Sequence, residues 1–109
     1  MKIELYQKKS LRTMKVDDTT TQHCCLGISG EAGEVIDLVK KSIYYNKELD
    51  LIKVTEELGD LMFYIVNLAS SLGISMHDVL IQNVEKLEKR FPNGFSKKEA
   101  IERKDENDK

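Results

Sequence analysis

The sequence predicts an all-α domain, and three observations carry that prediction. Apolar residues recur at helical spacing over long stretches. No run of alternating apolar residues is long enough to build a sheet, and Pro92 is the only proline. The expected architecture is four-helix-bundle-like, with antiparallel helices within residues 1–96 and a charged, loose tail over 97–109. A chain of 109 residues fits one domain of this kind.

The first helix is expected from Ile3 to Met14, with Leu5, Tyr6, Leu11 and Met14 as apolar positions. Asp17 to Thr21 is polar and holds several possible N-caps. The second helix is expected from Thr21 to Tyr45, with Cys25, Ile28, Ala32, Val35, Ile36, Val39 and Ile43 on one apolar face. Gly27, Gly30 and Gly33 interrupt it, and each costs a helix about 1 kcal/mol relative to alanine. Close backbone approach, room beside acidic side chains and tight helix packing are three reasons for accepting that cost.

Asp50 is a suitable N-cap for a third helix, Leu51 to Leu72, which Gly73 would end. Ser75 and Asp78 form a capping-box pattern for a fourth helix that stops before Pro92. Leu61 to Ala69 is apolar nearly all round, so a second face of the third helix is expected to pack against another subunit. A homo-oligomer follows, most simply a two-fold dimer.

Charge and cysteine content narrow the function. The net charge of −2 gives no broad basic field to draw a nucleic-acid polymer. Cys24 and Cys25 are adjacent, and helical neighbours point about 100° apart, so a disulfide between them is not expected. The N-terminus lacks a signal-peptide core, and the longest apolar stretch, Leu61 to Val66, is too short to cross a bilayer. A soluble, cytoplasmic protein is the expectation.

Four carboxylates carry the chemistry. Glu31 and Glu34 stand three apart on the second helix, and Glu57 and Asp60 three apart on the third. Residues three apart share a helix face, about 5–6 Å between Cβ atoms. If the two faces meet, the acids converge, and two unit charges 4 Å apart repel by about 4 kcal/mol at an effective dielectric of 20. Protonation or a bound cation must offset that repulsion. All-oxygen ligands favour Mg²⁺, Mn²⁺ or Ca²⁺, while a di-iron bundle would want Glu-x-x-His pairs that are absent here. A single Glu-x-x-Glu is ordinarily a solvated face. Two pairs on consecutive helices, each beside apolar residues, shift the balance towards a shared site.

Lys53, Glu57, Asp60 and Tyr64 fall on one stripe of the third helix, and Asn83, Lys86 and Arg90 share a face of the fourth. Lysine and arginine beside a metal site suit a polyphosphate. The same fourth-helix residues would also serve as a basic surface stripe pairing with Glu85 or Glu88. His23 lies two turns before the acids, and His77 sits in the first turn of its helix.

At these positions the chain resembles the MazG-like nucleoside triphosphate pyrophosphohydrolases. The resemblance runs through Tyr6-Gln7 to Arg12-Thr13, Leu26-Gly-Ile-Ser-Gly-Glu-Ala-Gly-Glu-Val-Ile-Asp, Glu56-Glu57-Leu-Gly-Asp60-Leu and Asn83-Val-Glu-Lys-Leu-Glu-Lys-Arg-Phe-Pro. It implies an all-α dimer or dimer of dimers. It also implies Mg²⁺-dependent hydrolysis of a nucleoside triphosphate between its α and β phosphates. The resemblance assigns metal and catalysis to Glu31, Glu34, Glu57 and Asp60, with Mn²⁺ as a substitute ion. It assigns phosphate contacts to Lys53, Lys86 and Arg90, and substrate contacts to Tyr64 and Asn83. The general base would then be one of the carboxylates. Some relatives cage the base with tryptophan, which this chain lacks, so base preference does not carry over. A pyrophosphatase of dUTP or phosphoribosyl-ATP on the same scaffold, and a non-catalytic helical interaction module, are the alternative readings.

Overall fold

A computed structural model describes residues 1–107, and every regular element among them is a helix, without a strand. The elements are α1 (Ile3–Leu11), α2 (Thr20–Tyr44), α3 (Leu51–Ser71), α4 (Met76–Arg90), α5 (Lys97–Glu102) and α6 (Lys104–Asn107). Their contacts divide the chain into two compact units, one ending at Ile74 and the other beginning at Ser75. The sequence placed the first four helices in one unit. No single described helix is long and apolar enough to cross a membrane.

The first unit is built on the α2–α3 pair. Before α2, the Asp17 carboxylate accepts hydrogen bonds from the Thr19 backbone N–H at 2.8 Å and its hydroxyl at 2.6 Å. Asp50 caps α3 as expected, its carboxylate accepting from the Lys53 N–H at 3.1 Å. The other end of α3 closes on Gly73, whose φ of 70° suits glycine. There the Ile74 N–H bonds the Ala69 carbonyl at 2.8 Å and the Gly73 N–H bonds that of Ser70 at 3.1 Å. This pairing is a Schellman motif, and it satisfies two carbonyls of the last turn.

Contacts between α2 and α3 run in reversed order. Thr21 donates to the Ser71 hydroxyl at 3.0 Å, Gly27 meets Tyr64, and Glu31 meets Glu57. The two helices are therefore antiparallel. Helix α1 packs on α3, with the Gln7 amide donating to the Ser70 hydroxyl at 2.9 Å and the Ile74 carbonyl at 3.0 Å. Cys24, Val66 and Asn67 are the largest fully buried side chains. The Asn67 amide nitrogen donates to the Phe63 carbonyl at 2.8 Å. Both cysteines are free, Cys24 buried and Cys25 exposed.

Uncovered apolar surface lies elsewhere than expected. The second half of α3 is largely covered, with Val66 and Ala69 buried and Phe63, Tyr64, Ile65 and Leu68 half-buried. Exposed apolar side chains instead occupy the first half of α3 (Leu51, Ile52, Leu58) and α2 (Leu26, Ile36, Ile43). Periodicity could not make this distinction, because α1 and α2 both pack on α3.

In the second unit, Ser75 holds the N-cap position of α4 without a side-chain cap bond, and Asp78 lies in the first turn. Helix α4 ends at Arg90, ahead of Pro92. The segment from Lys97, expected to be loose, forms α5 and α6 instead; residues 108 and 109 of that expected tail lie outside the described residues. Its order has local causes. The Ser96 hydroxyl accepts from the Glu99 N–H at 3.1 Å and starts α5. Arg103 adopts a left-handed conformation with φ 50° between the two helices. Asp105 anchors α6 to Arg90 of α4.

Val66 is the natural probe of the first unit's core, being fully buried on α3. Val66→Ala removes two methyl groups and should destabilise the fold by about 2 kcal/mol, measured as a lower urea midpoint at unchanged slope.

Candidate metal and nucleotide site

Antiparallel pairing brings Glu31 of α2 against Glu57 and Asp60 of α3. Each offers one oxygen, and the three oxygens lie within 4.8 Å of one another. Glu31 and Glu57 are half-buried, and Asp60 is exposed. Glu34 stands one turn further along α2, exposed and outside this three-oxygen group. Its charge still reaches Glu57.

Repulsion favours protonation of Glu57. The Glu57 carboxyl is pushed up to about 7, chiefly by its hydrogen bond with Glu31. Burial adds to this, followed by the negative charges of Glu31, Asp60 and Glu34. Near neutral pH, Glu57 therefore holds a proton against Glu31, where a cation would otherwise sit. Three convergent carboxylates short of cationic partners match the oxygen donor set of a hard divalent ion. Glu31, Glu57 and Asp60 are the residues placed to hold one.

Other predicted residues distribute between the two units. Lys53 is exposed one turn before Glu57, and Tyr64 stands one turn after Asp60. The Tyr64 ring is tilted against that of His23 at 5.8 Å and meets Phe63 edge-on at 5.3 Å. In the second unit, Asn83 and Lys86 line a cavity of about 570 Å³ together with Glu85, Lys89 and Asp105. Arg90 does not stand free. Its Nε donates to Asp105 Oδ1 at 2.7 Å and its Nη2 to Oδ2 at 3.1 Å. The Arg90 guanidinium holds the Asp105 carboxyl below the usual carboxylate range.

Two residues gain a place that sequence reasoning did not assign. Tyr6, read as an apolar position, has its phenol pushed up by burial and by the charge of Asp60. Its phenol thus feels the acidic site from α1. Asp105 was lost in a charged tail, and its separation from Arg90 carries no periodic signal.

The Glu57 proton makes the metal-free chain sensitive to pH. Folded Glu57 keeps its proton up to about pH 7, against 4.5 for an ordinary glutamate. Between those values the native state binds more protons than the unfolded state, so this group makes stability fall as pH rises. In chelator, the melting temperature should drop from pH 5.5 to pH 8, and Glu57→Gln should flatten that slope. Added Mg²⁺ should stabilise more at pH 8 than at pH 5.5, because it replaces the proton.

Comparison with known proteins places this geometry in a family. The pattern of the MazG nucleotide pyrophosphohydrolase domain matches residues 19–95, spanning α2, α3 and α4. The chain is also 34% identical over 76 residues to the Gene 37 protein of Mycobacterium phage L5. That match covers 63% of this chain and 64% of the phage protein's length. No solved structure matches. The acids that converge between α2 and α3 all fall inside the matched segment, and the chain belongs to the MazG nucleotide pyrophosphohydrolase family.

Proposed function

We propose that the chain is a Mg²⁺-dependent pyrophosphohydrolase that cleaves nucleoside triphosphates between the α and β phosphates. The convergent carboxylate cluster carries this reading, since it lies within the MazG segment and matches the needs of a hard divalent ion. Glu31, Glu57 and Asp60 hold the metal, and Glu34 joins them by rotation of its exposed side chain. Bound Mg²⁺ supplies positive charge against the phosphate oxygens.

The protein's own groups do the remaining work. A cluster carboxylate orients a water and accepts its proton as the water oxygen bonds to the α phosphorus. The bond from that phosphorus to the bridging oxygen breaks, and pyrophosphate leaves with the electron pair. Lys53, Lys86 and Arg90 bind phosphate oxygens, while Tyr64 and Asn83 contact the rest of the nucleotide. The substrate is a free nucleotide in the cytoplasm, and neither a nucleic-acid polymer nor a membrane takes part.

Pyrophosphate release from a panel of ribo- and deoxyribonucleoside triphosphates tests the proposal. Release should require Mg²⁺ or Mn²⁺ and stop in excess chelator. Glu57→Gln and Asp60→Asn should abolish turnover while circular dichroism still reports helix. Lys86→Ala should raise KM and leave metal affinity without nucleotide nearly unchanged. Full activity in chelator, or wild-type turnover in both acid variants, would place the chemistry elsewhere.

The exposed apolar side chains of α2 and α3 support self-association. Light scattering at micromolar concentration should return a dimer or tetramer, and a monomeric mass would contradict it.

A further inference from the structure

We infer that Gly27 is a positioning residue for Tyr64: its bare backbone is the seat against which the tyrosine ring lies beside the acidic cluster. The inference rests on the proposed reading of Tyr64 as a substrate contact and adds a residue that reading does not include.

The geometry at Gly27 is specific. A Cβ built there would overlap Cγ, Cδ1 and Cε1 of the Tyr64 ring. Those atoms include the root of the ring, so the whole ring must move to make room, not its tip alone. At Gly30, Gly33 and Gly59 an added Cβ meets nothing within 4 Å. Of the helical glycines on α2 and α3, Gly27 is thus the one that close approach requires.

The ring is held on its other sides as well. His23, one turn before Gly27, tilts against it at 5.8 Å, and Phe63 meets it edge-on at 5.3 Å. Its hydroxyl makes no hydrogen bond with another described residue, so the phenol is a donor available to a ligand. Tyr64 follows Asp60 by one turn on the same face of α3. Gly27 therefore sets where that donor stands relative to the metal-binding acids without touching substrate itself.

A double-mutant cycle on pyrophosphate release tests the inference. Alanine normally favours a helix over glycine, so a purely local effect of Gly27→Ala would be neutral or stabilising. The expected result is a KM raised about tenfold in Gly27→Ala and in Tyr64→Ala. The doubly substituted chain should match Tyr64→Ala alone, because the seat has no role without the ring. Mn²⁺ affinity without nucleotide should stay at the wild-type value in all three. Unchanged KM in Gly27→Ala, or KM increases that multiply in the double variant, would overturn it. If Gly27→Ala alone loses its helical circular dichroism, the double variant decides. Recovered helix supports the ring as the group displaced, and continued loss overturns that. A wild-type chain that releases no pyrophosphate from any nucleotide removes the functional reading itself, and this inference with it.

Discussion

The candidate site in the first unit depends on the antiparallel register of α2 and α3, which brings like charges together. Glu57 is held protonated towards neutral pH because that register sets it against Glu31 and near Asp60. Two carboxylates that could swing apart into water would ionise independently, near their ordinary values. Register is therefore the constraint, and several local devices hold it. The Asp50 cap starts α3, and the Schellman motif at Gly73 ends it. The Thr21–Ser71 hydrogen bond and the Tyr64 ring against Gly27 pin the two helices along their length.

The meeting of Glu31 with Glu57 and Asp60 was legible in the sequence because it obeys a short rule, while Glu34, expected with them, lies outside the group. Residues three apart share a helix face, and two such pairs on helices joined by a short loop can meet. Asp50 and Gly73 were legible for a similar reason, since caps are local chemistry. The selective role of Gly27 was not. Spacing marks three glycines on α2 alike, and only the partner helix decides which one a ring approaches. Tyr6 was hidden by its own chemistry: its ring satisfies an apolar pattern, and its phenol answers to a charge on a different helix.

The charged C-terminal stretch teaches the opposite lesson about composition. A run dominated by Lys, Glu and Asp reads as solvated, and a loose tail follows if each charge keeps its water. Here the charges meet partners. Ser96 caps α5, Arg103 pairs with Glu106 at 2.8 Å, and the Asp105 carboxylate is almost wholly buried against Arg90. Composition describes the average residue, while order was decided by a few pairings.

Arg90 has that structural role beside its proposed substrate contact, and the count of its donors leaves room for both. A guanidinium carries five N–H donors in a fixed fork. Asp105 takes one from Nε and one from Nη2. The remaining donors lie in the same rigid plane, with Glu106 Oε1 4.0 Å from Nη2, and pairing removes the rotamer freedom that a lone arginine would have to lose on binding phosphate. Asp105 also brings a negative charge, which opposes an incoming anion. The net effect is thus set by two opposing contributions, a fork held ready and a field made less positive. Lys86 and Lys89, which line the same cavity as Asp105, add positive charge on the side where that field is weakened.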